Sequence, residues 1–223
     1  MSGRPNLENE AVPHSPDLAQ IETNAASIVD GVGAESVAVY VYLLREFGRA
    51  PVDTNLLYQF VFRSFYRLDN AGLTDKFKRE YFRLMEEHRR IAGAIPLDAL
   101  VKALYKFPGR NERKGIQFSF VTKLANTINP TYPIYDSEVA KVFAFRPPYP
   151  SRPFEDRLAS YLAFYGNLRD TYNRILSENH IAQTRRMFRE KYASVAAGVP
   201  ELKVLDFIFW SAGKQERLAA KKS

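Results

Sequence analysis

Large apolar residues recur every three or four positions from Glu35 onward, and this spacing is the period of an amphipathic α-helix. The alternation of apolar and polar residues that marks a β-strand is nowhere sustained along the chain. Prolines and glycines divide the helical pattern into segments of ordinary helix length. The sequence therefore predicts an all-α fold, in the form of a compact multi-helix domain.

Helix-breaking residues and capping residues set the expected limits of these helices. The predicted helices cover roughly residues 35–47, 54–68, 74–90, 96–104, 118–128, 137–145, 155–177, 182–196 and 201–211. The second of them has Asp53 or Thr54 as its candidate N-cap. We expect its apolar stripe of Leu57, Phe60, Val61, Phe65 and Leu68 to face the core. Residues 107–117, which we call the basic loop, and the proline-rich residues 146–153 are predicted to be extended connections.

The charge is unevenly distributed between the start of the chain and the remainder. Residues 1–30 contain one basic and five acidic residues, a net charge of −4, while the whole chain carries +7, so the remaining residues carry +11. We predict that residues 1–30 form a flexible acidic arm with a short helix near Leu18–Ile28. Residues 31–215 are predicted to form a single helical domain, followed by a charged tail over residues 216–223.

The 223-residue chain has no cysteine, which excludes disulfides, thiolate zinc sites and a cysteine nucleophile. Its three histidines, His14, His88 and His180, are far apart in sequence, so we expect no metal site and no cofactor. No apolar run reaches 18 residues, and the polar amino terminus lacks the pattern of a secretory signal. The expected location is therefore the cytoplasm, with no membrane contact.

The most specific motif spans residues 118–143, which read FSFVTKLANTINPTYPIYDSEVAKVF. A helix leads into a proline-containing turn, and the turn ends in Pro133-Ile134-Tyr135-Asp136 immediately before a new helix. This segment resembles the helix-hairpin-helix DNA glycosylase superfamily, particularly its 8-oxoguanine glycosylase-like branch. The segment Leu205–Trp210 is also similar to the end of small bacterial proteins of this type.

The resemblance implies a helical fold that grips DNA and extrudes one base from the stack. In that family the aspartate of the motif faces the target nucleotide, so Asp136 is the candidate catalytic carboxylate. It would stabilise positive charge at C1′ of the sugar or position an attacking group. Tyr132 and Tyr135 flank the motif and would stack on the extruded base. The alternative interpretation of Asp136 is a plain N-cap of the following helix.

Two departures from the family pattern concern the hairpin and the lysine. The hairpin normally has two close glycines, whereas here Gly115 stands six residues after Gly109. Gln117 occupies the position where bifunctional members carry a nucleophilic lysine. Lys123 lies thirteen residues before Asp136, so its spacing does not match a Schiff-base lysine. We expect Lys123 to contact the DNA backbone or solvent.

A basic cluster coincides with the expected hairpin and predicts contacts to phosphates. The candidate DNA-binding residues are Lys102, Lys106, Arg110, Arg113, Lys114, Gly115, Gln117 and Lys123. A second group, Arg185, Arg186, Arg189 and Lys191, is expected to be an ordinary charged helix face.

These observations favour a protein that binds double-stranded DNA and excises a base. The alternative is a catalytically inactive helical scaffold that binds nucleic acid or a protein partner. A third reading is a small interaction module whose basic residues serve only solubility and form a solvated loop.

Overall fold

The structure, a computed structural model, describes residues 15–91 and 93–219, and within them every regular element is helical. The α-helices are α1 Leu18–Thr23, α2 Ala25–Asp30, α3 Ala34–Phe47, α4 Leu56–Phe65, α5 Asp75–Arg89, α6 Leu97–Tyr105, α7 Phe118–Ile128, α8 Ser137–Val142, α9 Phe154–Ser177, α10 Ala182–Lys191 and α11 Glu201–Ala219. A 3₁₀ turn covers Leu68–Ala71. The predicted all-α fold is confirmed. In the described part of the chain, no helix is both long and apolar enough to cross a membrane.

The first two helices belong to the folded body. Ile21, Ile28 and Val29 are buried, and α2 packs against α10 and α11. The Glu22 carboxylate accepts hydrogen bonds from the backbone N–H groups of Gln183 and Thr184 and so caps α10. The expectation of a flexible arm is therefore wrong for residues 17–30, where few but well-spaced apolar side chains suffice to anchor two short helices. Residues 1–14 of the predicted arm lie outside the described residues.

Helix α11 is the central element of the core and contacts α2, α8, α9 and α10. Every residue from Lys203 to Phe209 is buried, which explains the almost continuous apolar composition of this segment. The helix continues to Ala219, beyond the predicted end at residue 211 and into the predicted tail. Residues 220–223 of that tail lie outside the described residues.

Helix α8 lies so close to α11 that their backbones nearly touch. A Cβ atom built on Gly213 would lie 2.1 Å from the carbonyl oxygen of Glu138. Only glycine permits this approach, because any side chain would force the two helices apart. The contact fixes the start of α8, and therefore Asp136, against α11.

The core-facing side of α4 differs in part from the prediction: Leu68 is buried and Val61 and Phe65 are partly buried as expected, but Leu57 and Phe60 are not. Tyr58 and Phe62 are fully buried, while Leu57 and Phe60 are 63% and 60% exposed. The N-cap is Asn55, whose side chain accepts the Tyr58 N–H at 3.0 Å. This cap starts the helix later than Asp53 or Thr54 would. Apolar residues on both sides of the helix form two competing stripes, and the buried stripe is the one whose Phe62 ring packs at an angle against the rings of Tyr81 and Phe82.

Candidate functional site: a cavity between α7, α8 and α11

The extended segment that precedes α8 is held by buried side chains from three helices. Its backbone groups from residue 132 to residue 135 bond to the side chains of Thr122, Asn126, Tyr165 and Asp206 at 2.8–3.1 Å. Since these groups would otherwise be unpaired in the core, the four side chains fix the conformation of the segment. The proline turn can therefore deliver Asp136 to one defined position.

Asp136 is the N-cap of α8, as one of the two interpretations predicted. Its Oδ1 atom accepts the backbone N–H groups of Glu138 at 2.9 Å and Val139 at 3.0 Å. Both bonds go to the same oxygen, so the cap leaves Oδ2 available. Asp136 also lines a cavity, and capping and contact with a ligand are therefore compatible in this geometry.

The cavity has a volume of about 570 Å³, which is in the range of small-molecule sites. Aromatic rings form much of its wall, and its charged lining residues are Arg67, Lys123, Asp136, Glu138, Lys203, Asp206, Lys214 and Arg217. Glu138 and Arg217 form an ion pair at 3.1 Å. The site therefore combines apolar surface with convergent charged groups, which is the usual composition of a ligand site.

Lys123 lines this cavity and does not lie with the basic loop. It is partly buried on α7, and its Nζ donates to the Ser119 hydroxyl at 2.9 Å. The pKa of Lys123 is lowered to about 8, mainly by burial; the negative charge of Asp136 opposes this effect, and the positive charges of Lys203 and Arg67 add to it. A substantial fraction of this amine is therefore neutral at physiological pH. The spacing of Lys123 from Asp136 could not predict its place at the cavity, because distance along the sequence does not give position around a cavity.

Lys203 and Asp206 form a buried ion pair at the same cavity, with Nζ 3.6 Å from Oδ2. Asp206 Oδ1 accepts the Ile134 N–H at 2.9 Å. Burial raises the pKa of Asp206 to about 7, although Lys203 and the Ile134 N–H act in the opposite direction. Burial likewise lowers the pKa of Lys203. Neither residue was singled out from the sequence, where both are part of an ordinary amphipathic helix.

The two tyrosines expected to stack on a base are packed in the core. Tyr132 is 9% exposed, and its hydroxyl accepts the Ile95 N–H at 3.0 Å. Tyr135 is 5% exposed and borders the cavity, but its ring is surrounded by those of Phe118, Phe145, Tyr161 and Phe164. Stacking on a ligand is therefore excluded for Tyr132 in this conformation. Trp210, which lines the cavity and is partly exposed, offers a more accessible ring.

The predicted DNA-binding residues separate into an exposed group and residues at the cavity. Lys106, Arg110, Arg113 and Lys114 are exposed on or beside the basic loop. Lys102 is on α6, 3.9 Å from carboxylate oxygens of both Asp98 and Glu155. Gly115 lies two residues before Gln117, which lines the cavity. The loop therefore leads from an exposed basic surface directly to the cavity.

The basic loop is anchored at its base to the connection before α5. The Arg110 N–H donates to the Gly72 carbonyl oxygen at 2.8 Å, and the Gly109 N–H donates to Arg113 at 3.0 Å. The second basic group, on α10, is engaged in ion pairs with Glu190, Glu201 and Asp30. Over residues 15–91 and 93–219, histidine, aspartate and glutamate side chains form no cluster of three that would hold a metal ion.

No protein-family model matches the sequence, and no curated protein and no solved structure is significantly similar to the chain. The resemblance of residues 118–143 and of Leu205–Trp210 to DNA glycosylases therefore stays a prediction.

Proposed function

We propose that this chain binds double-stranded DNA in the cytoplasm and excises a base from a nucleotide extruded into the cavity. The observation that carries the proposal is that Asp136 and Lys123 line one cavity, which Gln117 connects to the exposed basic loop. The exposed cations of the basic loop would neutralise phosphates, and the aromatic wall of the cavity would receive a base. The resemblance of residues 118–143 to the helix-hairpin-helix glycosylases supports the same reading.

In the proposed reaction the bond between C1′ and the base nitrogen breaks, and the base leaves with the bonding electrons and takes up a proton. Positive charge then develops on the sugar, and the Asp136 carboxylate stabilises it. Either water or the neutral amine of Lys123 forms the new bond to C1′. Attack by water completes hydrolysis and releases one proton, whereas attack by the amine leads through ring opening to an imine.

A binding scaffold without catalytic activity is the second candidate, and the basic loop favours it. Its two glycines, Gly109 and Gly115, are six residues apart, too far to present the adjacent backbone amides of a hairpin. A Cβ atom built on Gly109 would lie 3.3 Å from the Gly72 carbonyl oxygen at the base of the loop. Such a protein would use the exposed cations for DNA and leave the cavity unused. Leu57 and Phe60 on the outer face of α4 would offer a protein partner an apolar surface.

The decisive experiment is a base-release screen with duplexes that carry different lesions, followed by alkali to cleave any abasic site. Wild type should release one class of base, and Asp136→Asn should not. Borohydride added during the reaction distinguishes the two attacking groups, because only an imine with Lys123 yields a covalent adduct. Binding without release from any duplex would favour the scaffold.

A further inference from the structure

The cavity brings together two lysines from different helices. Lys123 on α7 and Lys203 on α11 both line it, with their Nζ atoms 5.7 Å and 6.0 Å from the centroid of the Tyr66 ring. Two ammonium groups beside one ring, away from bulk water, repel each other. The cavity therefore favours a state in which only one of the two amines is protonated.

The surroundings of Lys203 stabilise a positive charge. Its Nζ is 3.6 Å from Asp206 Oδ2 and lies 4.8 Å and 4.9 Å from the ring centroids of Tyr40 and Phe207. A carboxylate and two ring faces each stabilise an ammonium group that has lost its water. The side chain is also 5% exposed, so these contacts hold it in place.

The surroundings of Lys123 are less favourable to a charge. Its nearest polar partner is the neutral hydroxyl of Ser119 at 2.9 Å, and its closest ring, Phe120, has its centroid 5.1 Å away. Among the described residues, no carboxylate accepts a hydrogen bond from this amine or forms an ion pair with it. Of the two lysines, Lys203 is thus the one that retains the proton.

We propose that Lys203 is a positioning residue for the amine of Lys123: it supplies a fixed positive charge that favours the neutral, nucleophilic form of the Lys123 amine. The inference rests on the proposed function, because a neutral amine in the cavity serves attack on an electrophilic sugar carbon. Lys203 itself does not touch the reacting atoms. It acts through space on Lys123, while its own position is held by Asp206.

Some of the remaining charged groups around Lys123 lower its pKa and others raise it. Arg67, which follows α4, adds to the effect of Lys203, and Asp136 at the start of α8 opposes both. Glu138 and Arg217 farther along the wall neutralise each other as an ion pair. Lys214 lies over the Trp210 ring at 5.0 Å and adds positive charge at the same cavity. Burial is the main reason why the pKa of Lys123 is about 8, and the charges of Asp136, Lys203 and Arg67 modify that effect.

A neutral amine at this place reacts with carbonyl compounds in a defined way. Its lone pair forms a bond to the aldehyde carbon, and loss of water from the carbinolamine gives an imine. Hydride from borohydride then reduces the imine to a stable secondary amine. The same chemistry applies to the ring-opened sugar of an abasic site, so Lys203 would also promote trapping of DNA on Lys123.

The test is competitive labelling of the full-length chain with acetic anhydride over a pH series, with peptide mass spectrometry as the readout. Exposed Lys106 is the internal reference. In wild type, Lys123 should be labelled with a midpoint near pH 8. In Lys203→Met the midpoint should move up toward the ordinary lysine value of 10.5, and in the matched Lys203→Arg, which keeps the charge, it should not.

Labelling of Lys123 at neutral pH should fall by roughly tenfold for each unit by which the midpoint rises. If Lys203→Met does not fold, the double variant with Asp206→Asn removes both charges and leaves no buried carboxylate without a partner. The proposal is overturned if Lys123 titrates normally in wild type, or if the Met and Arg variants behave alike. Because no DNA is present, failure here is separate from failure to release a base.

Discussion

Asp136 combines a structural role, the cap of α8, with a position at the cavity. The two cap bonds end on Oδ1, while the residue also lines the cavity. In the proposed reaction this carboxylate stabilises a cationic sugar. The two interpretations drawn from the sequence are therefore not alternatives at this residue.

Substitution of Asp136 separates the two roles. Asp136→Asn keeps an oxygen that accepts the Glu138 and Val139 N–H groups, so its free energy of unfolding should change by less than about 1 kcal/mol. Asp136→Ala loses the cap and should be destabilised by about 1–2 kcal/mol. Denaturant unfolding measures both, and a base-release assay should find both inactive. Full activity in the folded Asn variant would remove Asp136 from the site.

Asp206 makes stability depend on pH in a defined direction. Burial raises its pKa from 3.8 to about 7, so between these values the folded chain holds a proton that the unfolded chain has lost. The contribution of Asp206 to the free energy of unfolding is then greatest below pH 3.8 and is lost as the pH rises through about 7. Relative to Asp206→Asn, wild type should lose roughly 2–4 kcal/mol across this window. Unfolding curves that stay parallel from pH 4 to pH 8 would contradict this prediction.

At the scale of elements, the contact between α8 and α11 depends on one glycine. Gly213→Ala would put a Cβ atom 2.1 Å from the Glu138 carbonyl oxygen, which is backbone and cannot rotate away. The variant should lose at least about 2 kcal/mol in the free energy of unfolding, because the helices must separate.

Gly166→Ala in α9 is the matched control, since nothing lies within 4 Å of its Cβ position. It should gain about 0.5–1 kcal/mol from helix propensity. Equal effects at the two positions, measured by thermal or denaturant unfolding, would show that the close approach does not matter.

Most helices could be predicted because their signals are local. Thr74 was expected to start α5, and its hydroxyl accepts the Phe77 N–H at 3.3 Å. The turn from residue 129 to 133 and the start of α8 were likewise determined by neighbouring prolines and Asp136. The inward face of α4 was not predictable, because Leu57 and Tyr58 offer stripes of similar apolarity and only distant rings distinguish them.

At the scale of the molecule, part of the site is determined by local sequence and part by packing between helices that are distant in sequence. Asp136 follows from the motif, whereas Lys203 and Asp206 reach the cavity only because α11 packs on α8. Arg67 lies at the cavity because the chain bends after α4, where Arg67 adopts a left-handed conformation with φ of 59°. A sequence pattern records spacing along one helix, so the assembly of these charges around Lys123 could not be derived from it.

The two basic groups, on the basic loop and on α10, differ in whether their side chains are already in ion pairs with carboxylates. The exposed group on the basic loop comprises Arg110, Arg113 and Lys114, which are not in ion pairs among the described residues. In the α10 group, Arg186, Arg189 and Lys191 are each paired with a carboxylate. Phosphates should therefore be contacted by the first group, because the second would have to exchange one partner for another.

Salt dependence of DNA binding distinguishes these two surfaces at equal net charge. If the three loop cations and Lys106 each contact one phosphate, the logarithm of the binding constant should fall with the logarithm of salt concentration with a slope of about −3 to −4 on duplex DNA. Alanine at the three loop positions should flatten the slope by about 2–3, because each lost contact removes nearly one released counterion. Alanine at the three α10 positions removes the same formal charge and should leave the slope nearly unchanged.

Fluorescence anisotropy across a salt series gives the slopes of wild type and of both triple variants, provided that each variant is folded. Equal flattening by both triple variants would mean that net charge and not the basic loop governs binding, and no binding of wild type at low salt would remove DNA as the partner.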